Sequence, residues 1–184
     1  MTNLRRSRPN KHVHFLNRAK VVAERSTCLR RKVGAIIVSK DGVQLSSGYV
    51  GSPRKMEHCI DIGECLRTAL KIPSGQQYEL CRSVHAEQNA IINAARTGVG
   101  IVGGEMYISS ERIKDAYSNG DENDKIYAPC IICKKEIINA GLTKVHMREE
   151  GVGKETYTIE QIKKLLVQEE EERREKYTRG RFVP

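Results

Sequence analysis

Two short segments, His85-Ala86-Glu87 and Pro129-Cys130-Ile131-Ile132-Cys133, constrain this chain more than anything else in it. Each stands at the start of a stretch with helical character, so a metal ion drawing ligands from both forces two helix starts together. Cys130 and Cys133 are three residues apart and share one face of the first helical turn. The partial positive charge of a helix N-terminus favours the thiolate, the form that binds metal. With His85 they make a Cys₂His set, which leaves one position of a zinc tetrahedron open, as in sites where zinc activates water. Glu87 is too close along the chain to His85 to point the same way as a ligand, and it suits a general acid and base. Either segment alone is weak. Both together, in this order, set a Cys₂His metal-ligand set beside a carboxyl suited to proton transfer.

The remaining cysteines, Cys28, Cys59, Cys65 and Cys81, bring the total to six. No apolar segment follows the basic N-terminus (Arg5, Arg6, Arg8, Lys11), so an export signal is not read there and the expected location is the cytoplasm. In that compartment cysteines act as metal ligands or thiols rather than as disulfides. The longest apolar run, residues 33–38, is far below the roughly 18 residues of a membrane span.

Hydrophobic residues make up 39% of the 184 and charged ones 30%, enough apolar material for one core. The net charge of +9 points to anionic partners. With no Trp and only two Phe, a long single-strand groove lacks stacking platforms, so a nucleic-acid partner is not expected.

Apolar spacing predicts a helix over 11–26, and β-branched runs at 33–39 and 43–50 around Lys40-Asp41-Gly42 predict a hairpin. Helices are expected over 86–96, ended by Thr97-Gly98, and over 129–139, with strands over 105–109 and 144–147. Thr158 and Gln161 form a capping box for a last helix. Residues 51–84 show little periodicity, a length that needs some other means of support. Polar residues 110–127 read as an inserted loop that could serve as a lid, an oligomer contact or a plain surface excursion. The order describes an α/β domain, one sheet covered by helices.

The chain resembles the deoxycytidylate (dCMP) deaminase family of the cytidine deaminase superfamily. The resemblance spans about residues 14–150 and rests on Lys32-Val33-Gly34-Ala35, Gly48-Tyr49-Val50-Gly51-Ser52-Pro53-Arg54, His58-Cys59, Cys65-Leu66-Arg67, Ile72-Pro73-Ser74-Gly75, Cys81-Arg82, the His85 segment through Ile92, and Pro129-Cys130 with Cys133. It implies a three-layer α/β/α fold with a mixed central sheet over residues 1–150, followed by a helical extension over 151–184. It also implies zinc-dependent hydrolysis of dCMP to dUMP and ammonia. In that family Glu87 would shuttle the proton, the Ala86 N–H would face ring O2, and the Ala128 carbonyl would receive the amino group. The family is homo-oligomeric, often hexameric, activated by dCTP with Mg²⁺ and inhibited by dTTP. Tyr49, Gly51 and Arg96 fall at positions tied to those effectors.

Some members of the family hold a second, structural zinc, which assigns Cys28, Cys59, Cys65 and Cys81 to a closed Cys₄ site, with His58 as a substitute for one of them. Val50 departs from the family's Gly-Tyr-Asn-Gly loop, and valine cannot hydrogen-bond a sugar or an effector. Two rival functions share the zinc residues: a deaminase of tRNA or single-stranded nucleic acid, and a catalytically silent nucleotide sensor. Arg25, Arg30, Arg148 and Lys154 are the candidates for the substrate phosphate.

Overall fold

The computed structural model describes residues 8–73, 76–113, 128–151 and 153–178. Strands β1 (Arg31–Val38), β2 (Gln44–Tyr49), β3 (Glu105–Arg112), β4 (Lys144–Glu149) and β5 (Gly153–Thr158) form one sheet in the order β2-β1-β3-β4-β5. Only β3 and β4 run parallel, so the sheet is mixed. Alternation along the strands sorts the core into two layers. Ile36 and Val38 of β1 and Tyr107 of β3 meet Phe15, Leu16 and Ala19 of helix α1 (Lys11–Ala23) on one face. Ala35, Ile37, Met106, Ile108 and Val145 face the other way, toward α4 (Ala86–Arg96), α5 (Ile131–Asn139) and α6 (Ile159–Thr178). This is the three-layer α/β/α arrangement that the resemblance implies.

The hairpin, α4 and the capping box of α6 lie where the sequence places them. Thr158 N–H donates to Gln161 Oε1 at 2.8 Å, and Gln161 N–H returns a bond to Thr158 Oγ1 at 3.3 Å. Three differences have physical reasons. Strand β3 runs on to Arg112, since Arg31, Lys32 and Val33 of β1 pair with Arg112, Glu111 and Ser110. The first residues of the expected 110–127 loop are therefore sheet, and its remainder from 114 lies outside the described residues. Strand β5 has no counterpart in the sequence reading, because its residues are polar and mostly exposed, an edge strand without an apolar face. Helix α5 starts two residues later than expected, with Cys130 as its N-cap.

The segment 51–84 is held by particular bonds rather than by long elements. It carries two single-turn helices, α2 (Cys59–Ile62) and α3 (Leu66–Ala69), and a 3₁₀ turn, Tyr78–Leu80. Gly51 and Val84 exchange two backbone hydrogen bonds of 3.2 and 2.9 Å, closing the segment at its base. Arg67, 7% exposed, donates through Nη2 to the carbonyls of Pro73 and Gln76. A guanidinium thus does inside this loop what a sheet ladder does elsewhere.

Candidate metal and catalytic site

His85 is the N-cap of α4 and Cys130 the N-cap of α5. Both have extended backbone, which turns their side chains toward the gap between the two helix starts. His85 Nδ1 lies 3.4 Å from Cys130 Sγ and 3.4 Å from Cys133 Sγ. A tetrahedral zinc with bonds of about 2.3 Å to sulfur and 2.0–2.1 Å to nitrogen separates such donors by roughly 3.5 Å, so the donor set fits the ion. Glu87, 7% exposed, sits one residue into α4 beside these ligands.

The two helices are tied to each other as well as to the sheet. Gln88 accepts from the His85 N–H at 2.9 Å through Oε1 and donates through Nε2 to Glu136 Oε1 of α5 at 2.8 Å. The Tyr78 ring stands edge-on to His85 with centroids 5.4 Å apart, and Arg67 lies 5.1 Å from the Tyr78 centroid on its face. Burial raises the Tyr78 phenol to about 12, so it stays neutral.

Electrostatics prepares the ligands unequally. Hydrogen bonding with Cys133, joined by His85 and opposed by burial, holds Cys130 as thiolate, down at about 4. Their shared proton, with burial and the charges of Glu87 and Cys130, pushes Cys133 well above the ordinary thiol range. Burial disfavours the imidazolium of His85, but hydrogen bonding to Cys130 and the charge of Glu87 outweigh it and raise its pKa. Burial also raises Glu87, and the His85 charge only partly offsets this.

Zinc requires both thiolates and a neutral imidazole, so zinc uptake must expel protons. Metal-free protein is expected to release about one proton per zinc, from Cys133, above the raised pKa of His85, and about two below it. Zinc affinity therefore falls as pH falls, and more steeply below that point. Calorimetric titration in buffers of different ionisation heat measures the proton count; a count of zero throughout would contradict the assigned protonation.

His85, Cys130 and Glu87 open into a cavity of about 1010 Å³ that also borders Ala86, Ala128 and Val50. Of the phosphate candidates Arg30 lines it; Arg148 is on the α1 face, bonded to Asn17 Oδ1 and the Leu16 carbonyl. Arg67 and Arg82, from segments that carry the family resemblance, also line it, as do Tyr78 and, from α6, Leu165 and Glu169, none of which was assigned a place at the site from the sequence. Glu169 pairs with the buried Lys134 of α5 at 2.5 Å, so the last helix forms part of the wall. A buried ammonium next to Cys133 has no sequence signal, since lysine is exposed by default.

Cys28, Cys59, Cys65 and Cys81 line the same cavity, and none of the six cysteines is in a disulfide. Burial raises the thiols of Cys59 and Cys81. Among the described residues no three of these four bring their sulfurs within 4.8 Å of one another. His58 Nδ1 is instead 3.2 Å from Thr27 Oγ1. Tyr49 and Gly51 stand at the end of β2, where the Tyr49 carbonyl accepts from Asn89. Arg96 ends α4, about 10 Å further along the helix than Asn89, and is exposed. The effector positions are thus not gathered at one place within the chain.

Residues 9–149 match the family model described as "Cytidine and deoxycytidylate deaminase zinc-binding region". The chain belongs to this family. The deoxycytidylate deaminase of Schizosaccharomyces pombe is 29% identical over 148 residues, 79% of this chain and 39% of that protein. ComE operon protein 2 of Bacillus subtilis is 34% identical over 137 residues, 74% of this chain and 58% of that protein. The chain thus spans well under two thirds of either relative's length. The deoxycytidylate deaminase of Mycobacterium phage D29 is 31% identical over 149 residues, 79% of this chain and 99% of that protein. Among solved structures, the dCMP deaminase of cyanophage S-TIM5 in complex with dCMP and dUMP is similar, with a TM-score of 0.53 and 26% identity over 78% of this chain and 85% of that one.

Proposed function

We propose that the protein hydrolyses dCMP to dUMP and ammonia, with zinc held by His85, Cys130 and Cys133. The observation that carries this reading is the triangle of donors, His85 Nδ1 at 3.4 Å from both sulfurs, with the buried Glu87 beside it at the cavity floor. The names of the phage D29 and S-TIM5 relatives supply the substrate. Zinc bound there supplies the Lewis acidity that makes water a nucleophile near neutral pH. Glu87 accepts one proton of the attacking water as C4–O forms and delivers it to N3, then accepts the second from the C4 hydroxyl and delivers it to the departing amine as C4–N breaks. A carboxyl whose pKa is raised by burial can hold each proton between its pick-up and its delivery. The Ala86 N–H faces ring O2 and the Ala128 carbonyl receives the amino group, roles supported by the place of both on the cavity wall. Arg30 and Arg82, on the same wall, give a 5′-phosphate its counter-charge.

The same reading makes the enzyme a homo-oligomer, a hexamer, under control of dCTP with Mg²⁺ and of dTTP through Tyr49, Gly51 and Arg96. Met56, Ile60, Ile62, Leu66, Leu70 and Leu80, between 37% and 55% exposed, are the kind of surface a second copy covers. Cys28, Cys59, Cys65 and Cys81 hold a structural zinc once drawn together, which zinc counting at two per chain tests. Six unpaired thiols suit the cytoplasm.

The decisive experiment is ammonia release from dCMP by protein of counted zinc content, with and without Mg²⁺–dCTP or dTTP. Turnover of the mononucleotide, none of a single-stranded oligonucleotide, stimulation by dCTP and inhibition by dTTP are expected. No turnover of dCMP by zinc-replete protein would overturn the assignment, and activity indifferent to both nucleotides would remove only the regulatory part.

A further inference from the structure

Two of the five histidines, His12 and His146, meet on the α1 face of the sheet, on the opposite side from the site described above. Their rings lie 4.5 Å apart between centroids, and Tyr107 stacks on His146 at 4.4 Å. Glu105 completes the group: its Oε2 is 3.2 Å from His146 Nε2 and accepts from the Tyr107 hydroxyl at 3.0 Å. One donor atom each from His12, Glu105 and His146 lie within 4.8 Å of one another. The three come from the first turn of α1, the start of β3 and the middle of β4, so no local spacing announces them. The sheet register does the assembly, setting Tyr107 opposite His146 and His146 opposite Thr156.

Proton accounting leaves the ring nitrogens available. The single proton of Tyr107 goes to Glu105, so the 3.2 Å contact between Tyr107 and His12 Nδ1 is donated by the imidazole. His12 Nε2 then carries a lone pair. His146 Nδ1 is 3.0 Å from Thr156 Oγ1. Donation from Nδ1 to that hydroxyl leaves the Nε2 lone pair facing the carboxylate, the outer-sphere bond that metal-ligating histidines make. Reaching this state costs no net proton: His146 exchanges one neutral tautomer for the other as Thr156 turns its hydroxyl. Lys144 contacts only the carboxylate's other oxygen, Oε1, at 3.4 Å.

We propose that His12, Glu105 and His146 form a separate site for a divalent first-row transition ion. Two imidazoles and one carboxylate suit such an ion, and a tetrahedral one spaces nitrogen and oxygen donors by about 3.3–3.5 Å. The His146–Glu105 pair already has nearly that spacing. His12, exposed on the outermost turn of α1, supplies the remaining movement and the route in from solvent.

The test uses zinc-replete enzyme titrated with further Zn²⁺ against a chromophoric chelator. Wild type is expected to take up one equivalent more than His12→Ala or Glu105→Gln, each of which weakens that site by at least about 100-fold. His14→Ala, an exposed histidine of the same helix, keeps the extra equivalent. Deaminase activity is unchanged in His12→Ala. With Co²⁺ the extra equivalent adds a d–d band without thiolate charge transfer, which separates it from any cysteine site. His12 is exposed on the first turn of α1 and meets the core only at the Tyr107 hydroxyl and the His146 ring, and equal melting temperatures of His12→Ala and wild type check that the variant folds. Equal uptake by wild type, His12→Ala and Glu105→Gln overturns the proposal.

Discussion

Glu87→Gln is expected to lower kcat/KM for dCMP by about 10³-fold or more, while zinc content and thermal stability stay near those of wild type. The amide keeps the shape and part of the hydrogen bonding of the carboxylate but can neither accept the water proton nor release one to the ring and the amine. General acid–base catalysis of this kind contributes about 10²–10⁴-fold, and here one carboxyl serves two transfers, so the loss falls at the upper end. Substrate binding is largely independent of that proton, so the loss appears in kcat and KM moves little. Stability follows separately: burial raises the pKa of Glu87, so the folded state disfavours the ionised form. Removing that charge does not destabilise the protein and stabilises it where the unfolded carboxyl is ionised, above its ordinary pKa. Ammonia release and a metal assay on the same sample measure both halves. Retention of more than about a tenth of wild-type kcat would remove Glu87 from the proton path.

How much of this was legible beforehand depended on whether the information was local. The meeting of His85 with Cys130 and Cys133 was, because the two cysteines share a helical turn and Pro129 marks its start. Helix α4 was, because Ala90 and Ala94 repeat at helical spacing and Gly98 ends the run. Strand β5 was not: only Tyr157 in it is apolar, and its pairing is dictated by β4, which ends four residues upstream of it. The support of residues 51–84 was also hidden. It depends on a buried guanidinium reaching two carbonyls, and Arg67 differs from a surface arginine only in where the chain puts it. The same holds for the His12–Glu105–His146 group, whose members are far apart in sequence. Arg148 failed as a phosphate candidate for the reverse reason. Its place on β4 turns it to the α1 face, and alternation along a strand settles that once the register is known.

Gly48→Ala links the sheet to the chemistry and is expected to damage both. Within the Gly48-Tyr49-Val50-Gly51 segment, Gly48 is where α4 presses its backbone against β2. A Cβ there would lie 2.3 Å from Ala90 N, 2.5 Å from the Ala86 carbonyl oxygen and 2.6 Å from the Asn89 carbonyl carbon. None of these atoms is the end of a pliable side chain, so relief requires moving the helix by about 1 Å toward ordinary contact distance. Three bonds resist: Ser46 Oγ to the Ala90 carbonyl at 2.7 Å, Asn89 Nδ2 to the Tyr49 carbonyl at 2.8 Å, and Asn93 Nδ2 to the Ser47 carbonyl at 2.8 Å. Overpacking of this kind costs about 3 kcal/mol, which lowers Tm by roughly 6–12 °C in a domain of this size. Activity suffers beyond the folded fraction, because the displaced turn carries His85 and Glu87, and a misplacement of about 1 Å costs on the order of 10²-fold. Gly100→Ala, where an added Cβ meets nothing within 4 Å, serves as the control and is expected to be neutral. A Gly48→Ala protein that melted and turned over like the control would mean that α4 and the ligands it carries are not held by this contact.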